Sequence, residues 1–157
     1  MEILFTLNGK RITVETPPDR RVVDLLREDL GLTGAKECCG SGECGACAIL
    51  VDGSSRLSCL MAAVQLEDRR VVTIEGLSGE GALHPIQEAF IQAGAIQCGY
   101  CTPGMVMATA DLLRRNPKPS RTEIREALSG NLCRCTGYQK IVDAVELAAA
   151  RLQEHGK

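Results

Sequence analysis

Residues 39–47 read Cys39-Gly40-Ser41-Gly42-Glu43-Cys44-Gly45-Ala46-Cys47, and Cys59 follows twelve positions later. Three thiols on so short a stretch can face one small anionic group only if the backbone between them turns sharply. Gly40, Gly42 and Gly45 permit that turning at low steric cost and let backbone N–H groups approach the sulfurs. The C-x4-C-x2-C…C spacing is that of a plant-type [2Fe–2S] site, with Cys39, Cys44, Cys47 and Cys59 as ligands. Cys59 is expected to close the site from a neighbouring strand. Buried structural cysteines would not need three interleaved glycines. Gly40 to Gly45 also satisfies G-x-G-x-x-G, but a dinucleotide site needs that loop between a strand and a helix in a βαβ unit. Neither neighbour fits, and cysteines fill the loop. Cys38 falls outside the spacing and reads as a small side chain beside the cluster.

Upstream of this loop, Glu2 to Leu7 and Arg11 to Glu15 alternate as strands around Asn8-Gly9-Lys10, a hairpin signal. Pro17-Pro18 breaks the run. Val22, Val23, Leu25, Leu26 and Leu30 follow helical spacing, with Gly31 as the stop. Downstream, Ala48 to Val51 and Leu57 to Leu60 read as strands around Asp52-Gly53, and Val71 to Ile74 as a last strand. A curved sheet packed on one helix is predicted, an α+β unit.

Gly76 to Gly81 reads as a linker, and the periodicity then becomes helical. Helices are predicted over Pro85 to Ala93, over Pro103 to Arg115 with Thr102 as N-cap, and from a Ser120-x-x-Glu123 capping box to about Leu128. A Thr136-x-x-Gln139 capping box is expected to open a long Ala-rich helix to about Gln153. Four helices suggest a bundle. Cys98-x2-Cys101 and Cys133-x-Cys135 each stand just before one of these helix starts. Two positive helix ends facing one site would suit a thiolate-bound anionic cluster and depress the thiol pKa values. Two short cysteine pairs also suit a structural zinc ion, and the spacing leaves that alternative open.

The chain has 157 residues with 18 basic and 20 acidic side chains, a net charge of −2 that argues against a nucleic-acid surface or a polybasic membrane surface. No apolar run approaches bilayer length. Met1-Glu2-Ile3-Leu4 lacks the basic start and apolar core of a signal peptide, so a cytoplasmic location is expected. Aromatic residues make up only 3% and tryptophan is absent, so two units of about 75 residues would have marginal cores. The nine cysteines are the natural reinforcement, as metal ligands rather than disulfides in that compartment. His84 reads as a cap, and Arg114, Arg115, Lys118 and Arg121 as a solvated basic turn. Met105 and Met107 read as core, and Lys36 and Arg134 as flanking charges of the cysteines. No Ser/His/Asp constellation, paired carboxylates or phosphate loop is present, so no catalytic residue is assigned.

Three segments carry a family resemblance: Gly42-Glu43-Cys44-Gly45-Ala46-Cys47, Gln97-Cys98-Gly99-Tyr100-Cys101-Thr102-Pro103-Gly104, and Gly130-Asn131-Leu132-Cys133-Arg134-Cys135-Thr136-Gly137-Tyr138. Together they resemble the iron–sulfur subunit of the molybdenum hydroxylases, the xanthine dehydrogenase/aldehyde oxidoreductase family. The resemblance implies a plant-ferredoxin-like β-grasp domain over 1–76 and an all-α four-helix-bundle domain over 77–157. It implies a second [2Fe–2S] cluster on Cys98, Cys101, Cys133 and Cys135, which displaces zinc. It also implies two separate partners, a large molybdopterin-binding subunit and a medium FAD-binding subunit, in a dimer of heterotrimers. Electrons would run from molybdopterin through the helical-domain cluster and then the β-domain cluster to FAD. By position, Gln97 matches a glutamine that hydrogen-bonds the pterin, and Cys135 the ligand beside the pterin amino group. The implied substrate is a purine or another N-heteroaromatic, with aldehydes, carbon monoxide and aromatic acyl-CoA esters open. Two competing readings remain at this stage, a free two-cluster ferredoxin-type carrier and a zinc-stabilised binding module.

Overall fold

The computed structural model describes residues 1–79 and 81–155. Strands β1 (Glu2–Leu7) and β2 (Lys10–Glu15) form the expected hairpin, with Asn8 and Gly9 both in the left-handed conformation that a two-residue turn demands. Ile3, Phe5 and Leu7 alternate inward and are buried. The helix expected over Val22 to Leu30 is a short α1 (Val22–Asp24) that widens into a π-turn over Leu25–Asp29. The Leu30 N–H reaches back to the Leu25 carbonyl at 3.0 Å, and Gly31 ends the element with positive φ.

Strands β3 (Ala48–Val51), β4 (Ser54–Leu57) and β5 (Arg70–Val72) complete a mixed sheet of order β2-β1-β5-β3-β4. β5 runs parallel to β1, and the other neighbours are antiparallel. The strand expected from Leu57 to Leu60 is not formed. Ser58 donates both its N–H and its hydroxyl to the Cys47 carbonyl, the latter at 2.7 Å, and Ser58–Leu60 turn as a 3-10 helix. Cys59 therefore stands on a turn rather than on a strand.

The expected last strand stops at Val72 because the Thr73 N–H is taken by Asn8 Oδ1 at 2.9 Å, and Thr73 opens the short α2 (Ile74–Leu77). The expected linker thus begins inside a helical turn, whose Ile74 and Leu77 pack against the helical core and against the interface beneath the sheet. Gly79 and Ala82 pair across a bridge; Glu80 of that linker lies outside the described residues.

Helices α3 (Pro85–Gln92), α4 (Thr102–Arg115), α5 (Arg121–Ala127) and α6 (Gln139–His155) build the second half. Ile86, Phe90, Met105, Ile124, Ile141 and Val145 are fully buried among them, so the scarcity of aromatics is met by aliphatic packing. His84 caps α3 through Nδ1, which accepts the Ile86 N–H at 3.2 Å. Ser120 and Glu123 form the expected reciprocal box. Thr102 is the first helical residue of α4 and Cys101 its cap, one position earlier than expected. Met107 of α4 is fully buried against Ala48 and Leu50 of β3, which fixes the helical half on the sheet. The fold is therefore a ferredoxin-like α+β unit followed by a four-helix unit. No helix among the described residues is long and apolar enough to cross a membrane.

Candidate metal centres

The loop over 39–47 winds through three left-handed glycines, Gly40, Gly42 and Gly45, with φ between 63° and 81°. This winding turns backbone donors toward sulfur: the Ser41 and Glu43 N–H groups donate to Cys39 Sγ at 3.4 and 3.3 Å. The Ser41 donor, helped by the Cys44 and Glu43 N–H groups, pulls the exposed Cys39 thiol down to about 6. Burial, together with the neighbouring Cys47 thiol, pushes Cys59 up to about 11. Cys39 acts on Cys44, Cys47 acts on Cys59, and Cys39 also acts on Cys59, so the four thiols are neighbours with two closer pairs among them.

The second set assembles in the same way. Cys98 meets Cys135, and Cys101 meets Cys133, with all four electrostatically linked. Burial first, then the Cys133 thiol and its charge, push Cys101 up to about 12. Burial pushes Cys133 up, but the Thr136 hydroxyl and N–H, joined by the Cys135 N–H and the Cys101 thiol, together outweigh it and its pKa is lowered. Cys135 is exposed and raised, chiefly by its contact with Cys98. The expected pair of helix ends is only half present. α4 starts directly at Cys101, whereas α6 starts at Gln139, beyond the left-handed Gly137 and Tyr138. The predicted Thr136–Gln139 capping box does not form, because the Thr136 hydroxyl is used at Cys133 Sγ and by the Tyr138 N–H.

A cavity of about 560 Å³ opens at the second set, lined by its four cysteines together with Cys38, Cys44, Tyr100 and Tyr138. Among the described residues, no three His, Cys, Asp or Glu side chains converge as ligands of a single metal ion. Paired thiols suit a two-iron group, in which each iron takes two cysteines, better than a tetrahedral ion that draws four to one point. None of the nine cysteines is in a disulfide. Gln97 lies on the surface beside Cys98, and Cys135 is exposed on the same loop cluster.

Residues that flank the cysteines in the two later motif segments join the two sets. The Leu132 N–H donates to the Cys44 carbonyl at 2.9 Å, and Asn131 Nδ2 to the Gly45 carbonyl at 3.1 Å. The Tyr100 hydroxyl donates to the Glu37 carbonyl. Gly104, in the first turn of α4, comes so close that a Cβ there would stand 2.3 Å from the Gly45 carbonyl oxygen. A glycine in the first turn of a helix was the only sequence signal for that approach.

Residues 5–76 match the family model described as 2Fe-2S iron-sulfur cluster binding domain, and residues 73–146 the one described as [2Fe-2S] binding domain. The nicotinate dehydrogenase small FeS subunit of Eubacterium barkeri is 48% identical over 149 residues, covering 95% of both chains. The chain belongs to the iron–sulfur subunits of the xanthine dehydrogenase/aldehyde oxidoreductase family. Within this family, the nicotine 6-hydroxylase small subunit of Paenarthrobacter nicotinovorans is 52% identical, covering 92% of this chain and 87% of that one. The structure of quinoline 2-oxidoreductase from Pseudomonas putida 86 superposes with a TM-score of 0.94 at 46% identity, covering 98% of this chain and 96% of that chain. The aldehyde oxidoreductase of Desulfovibrio gigas superposes with a TM-score of 0.95 at 37% identity, and there the present chain spans 17% of the neighbour's length. As an iron–sulfur subunit of this family, the protein is part of an oxidoreductase complex and serves electron transfer.

Proposed function

We infer that the chain relays electrons from a molybdopterin centre in a large partner subunit, through two [2Fe–2S] clusters, to FAD in a medium partner subunit. Cys39, Cys44, Cys47 and Cys59 hold one cluster, and Cys98, Cys101, Cys133 and Cys135 hold the other. The observation that carries this reading is the Leu132 N–H to Cys44 carbonyl bond. It joins a residue next to one thiol set to a cysteine of the other, and so holds the two sets in fixed register. When bound, the clusters supply one-electron redox steps at iron. The chain's own residues do the rest. The Ser41 and Glu43 N–H groups stabilise negative charge on Cys39, and the Thr136 N–H stabilises it on Cys133. Burial of Cys47 and Cys59 keeps water from one side of their cluster.

The helical unit is assigned to face the molybdopterin, with Gln97 hydrogen-bonding the pterin and Cys135 beside its amino group. Both side chains are surface-exposed, as contacts to another subunit require. The two domains divide at 76/77, and the three subunits assemble as a dimer of heterotrimers. The names of the relatives, which refer to nicotinate, nicotine and quinoline, favour an N-heteroaromatic substrate for the complex. Purification from the source cells tests the whole. Co-purification with two larger chains, four iron atoms per chain and two EPR signals after dithionite are expected. A lone colourless chain carrying zinc would overturn it.

A further inference from the structure

The loop from Cys133 to Tyr138 carries a polar arrangement that ligation by itself does not require. Thr136 Oγ1 lies 3.0 Å from Cys133 Sγ, and the Thr136 N–H donates to the same sulfur at 3.4 Å. Thr136 Oγ1 also accepts the Tyr138 N–H at 3.2 Å. Gly137 and Tyr138 both have positive φ, at 65° and 68°, and that conformation is strained for a tyrosine. The strain is held by the Tyr138 hydroxyl, which accepts the Cys133 N–H at 2.9 Å. The result is a closed ring of hydrogen bonds that fixes Thr136 relative to one sulfur.

The ring also decides which way the hydroxyl proton points. A metal-bound thiolate has no proton to donate, and the Tyr138 N–H already occupies a lone pair of Oγ1. The O–H therefore donates to Cys133 Sγ. Cys133 receives two donors from one residue, whereas no hydroxyl acts on Cys101 or Cys135.

We propose that Thr136 is a positioning residue that raises the reduction potential of the [2Fe–2S] group held by Cys98, Cys101, Cys133 and Cys135, through its hydroxyl bond to Cys133. This rests on the ligand assignment of the preceding section. Reduction by one electron adds negative charge that the ligand sulfurs share. A fixed donor on sulfur stabilises that charge more in the reduced form than in the oxidised form.

The test is an EPR-monitored redox titration of the intact complex with dithionite and mediators, comparing wild type with Thr136→Val, Thr136→Ser and Thr136→Ala. Valine keeps the shape and removes the donor. It is expected to lower the reduced-to-oxidised ratio of one cluster about tenfold at fixed poise, about 59 mV for a one-electron couple. The other cluster should be unmoved, and serine should keep the wild-type value. Unchanged potentials in Thr136→Val would overturn the proposal. So would a serine variant that shifts as valine does, or loss of the cluster in both the valine and alanine variants, since Thr136 would then be structural. A wild-type complex with only one cluster signal and two irons per chain would instead sink the ligand assignment itself, a result distinct from either.

Discussion

Leu132 and Cys44 are joined by a single backbone hydrogen bond of 2.9 Å, and through it the loop that carries Cys133 is tied to the loop that carries Cys39, Cys44 and Cys47. The bond runs from the residue next to Cys133 to the carbonyl of Cys44 itself. It is reinforced by Asn131 Nδ2 on the Gly45 carbonyl at 3.1 Å, in a buried setting. Asn131→Ala removes that second donor and leaves the Gly45 carbonyl with only the Ala48 N–H at 3.2 Å. A loss of about 0.5–1.5 kcal/mol in unfolding free energy is expected, read from a denaturant midpoint. A midpoint equal to wild type would show that the Asn131 bond adds nothing to the junction.

Gly104 tests the same junction sterically. A Cβ there meets the backbone of the cysteine loop: the Gly45 oxygen at 2.3 Å, the Gly45 carbon at 3.1 Å and the Ala46 Cα at 3.2 Å. Backbone cannot swing aside as a side chain can, so Gly104→Ala must push α4 off the cysteine loop. A destabilisation of about 1–3 kcal/mol and reduced iron content are expected. Gly130→Ala is the control. Nothing lies within 4 Å of its built Cβ, and its stability should stay within about 0.5 kcal/mol of wild type by the same melt.

Met107 joins the two cores rather than filling one. It is fully buried between α4 and the β3 residues Ala48 and Leu50. Met107→Ala should cost about 2–5 kcal/mol from lost burial and the cavity left behind. Split thermal transitions would show that the halves have become separate cooperative units; a single transition at the wild-type temperature would refute the assigned role.

Cysteine reactivity in the cluster-free chain should be pH-dependent in a defined order. Cys39 is lowered to about 6 by the Ser41 N–H and its neighbours, so it is mostly thiolate at pH 7 and loses that form as pH falls through about 6. Cys59 and Cys101, raised to about 11 and about 12 by burial, stay protonated until far higher pH. Iodoacetamide labelling followed by mass spectrometry at pH 7 should therefore modify Cys39 before either. Cluster loading must displace protons from the raised thiols and so should become more favourable as pH rises. Labelling of Cys59 ahead of Cys39 would contradict the geometry.

The sequence by itself determined the hairpin at Asn8-Gly9, the glycine-wound cysteine loop, the Ser120–Glu123 box and the grouping of cysteines. Each of these rests on local chemistry: positive φ at glycine or asparagine, a side chain reaching a backbone N–H three residues away, or thiols a few positions apart. Where tertiary partners compete for a local group, local reading fails. Ser58 is drawn off the strand path by the Cys47 carbonyl, Thr73 is taken by Asn8, and the Thr136 hydroxyl leaves its predicted capping box for Cys133 Sγ. The junction of the two halves left no local signal beyond the glycine in the first turn of α4. Gly104, Asn131 and Leu132 act across large separations, through a close approach and backbone bonds that leave no periodic trace. Only the folded chain brings Cys44 beside Leu132, because that contact depends on where α4 docks on β3, and the docking is decided by the packing of Met107, Ala48 and Leu50.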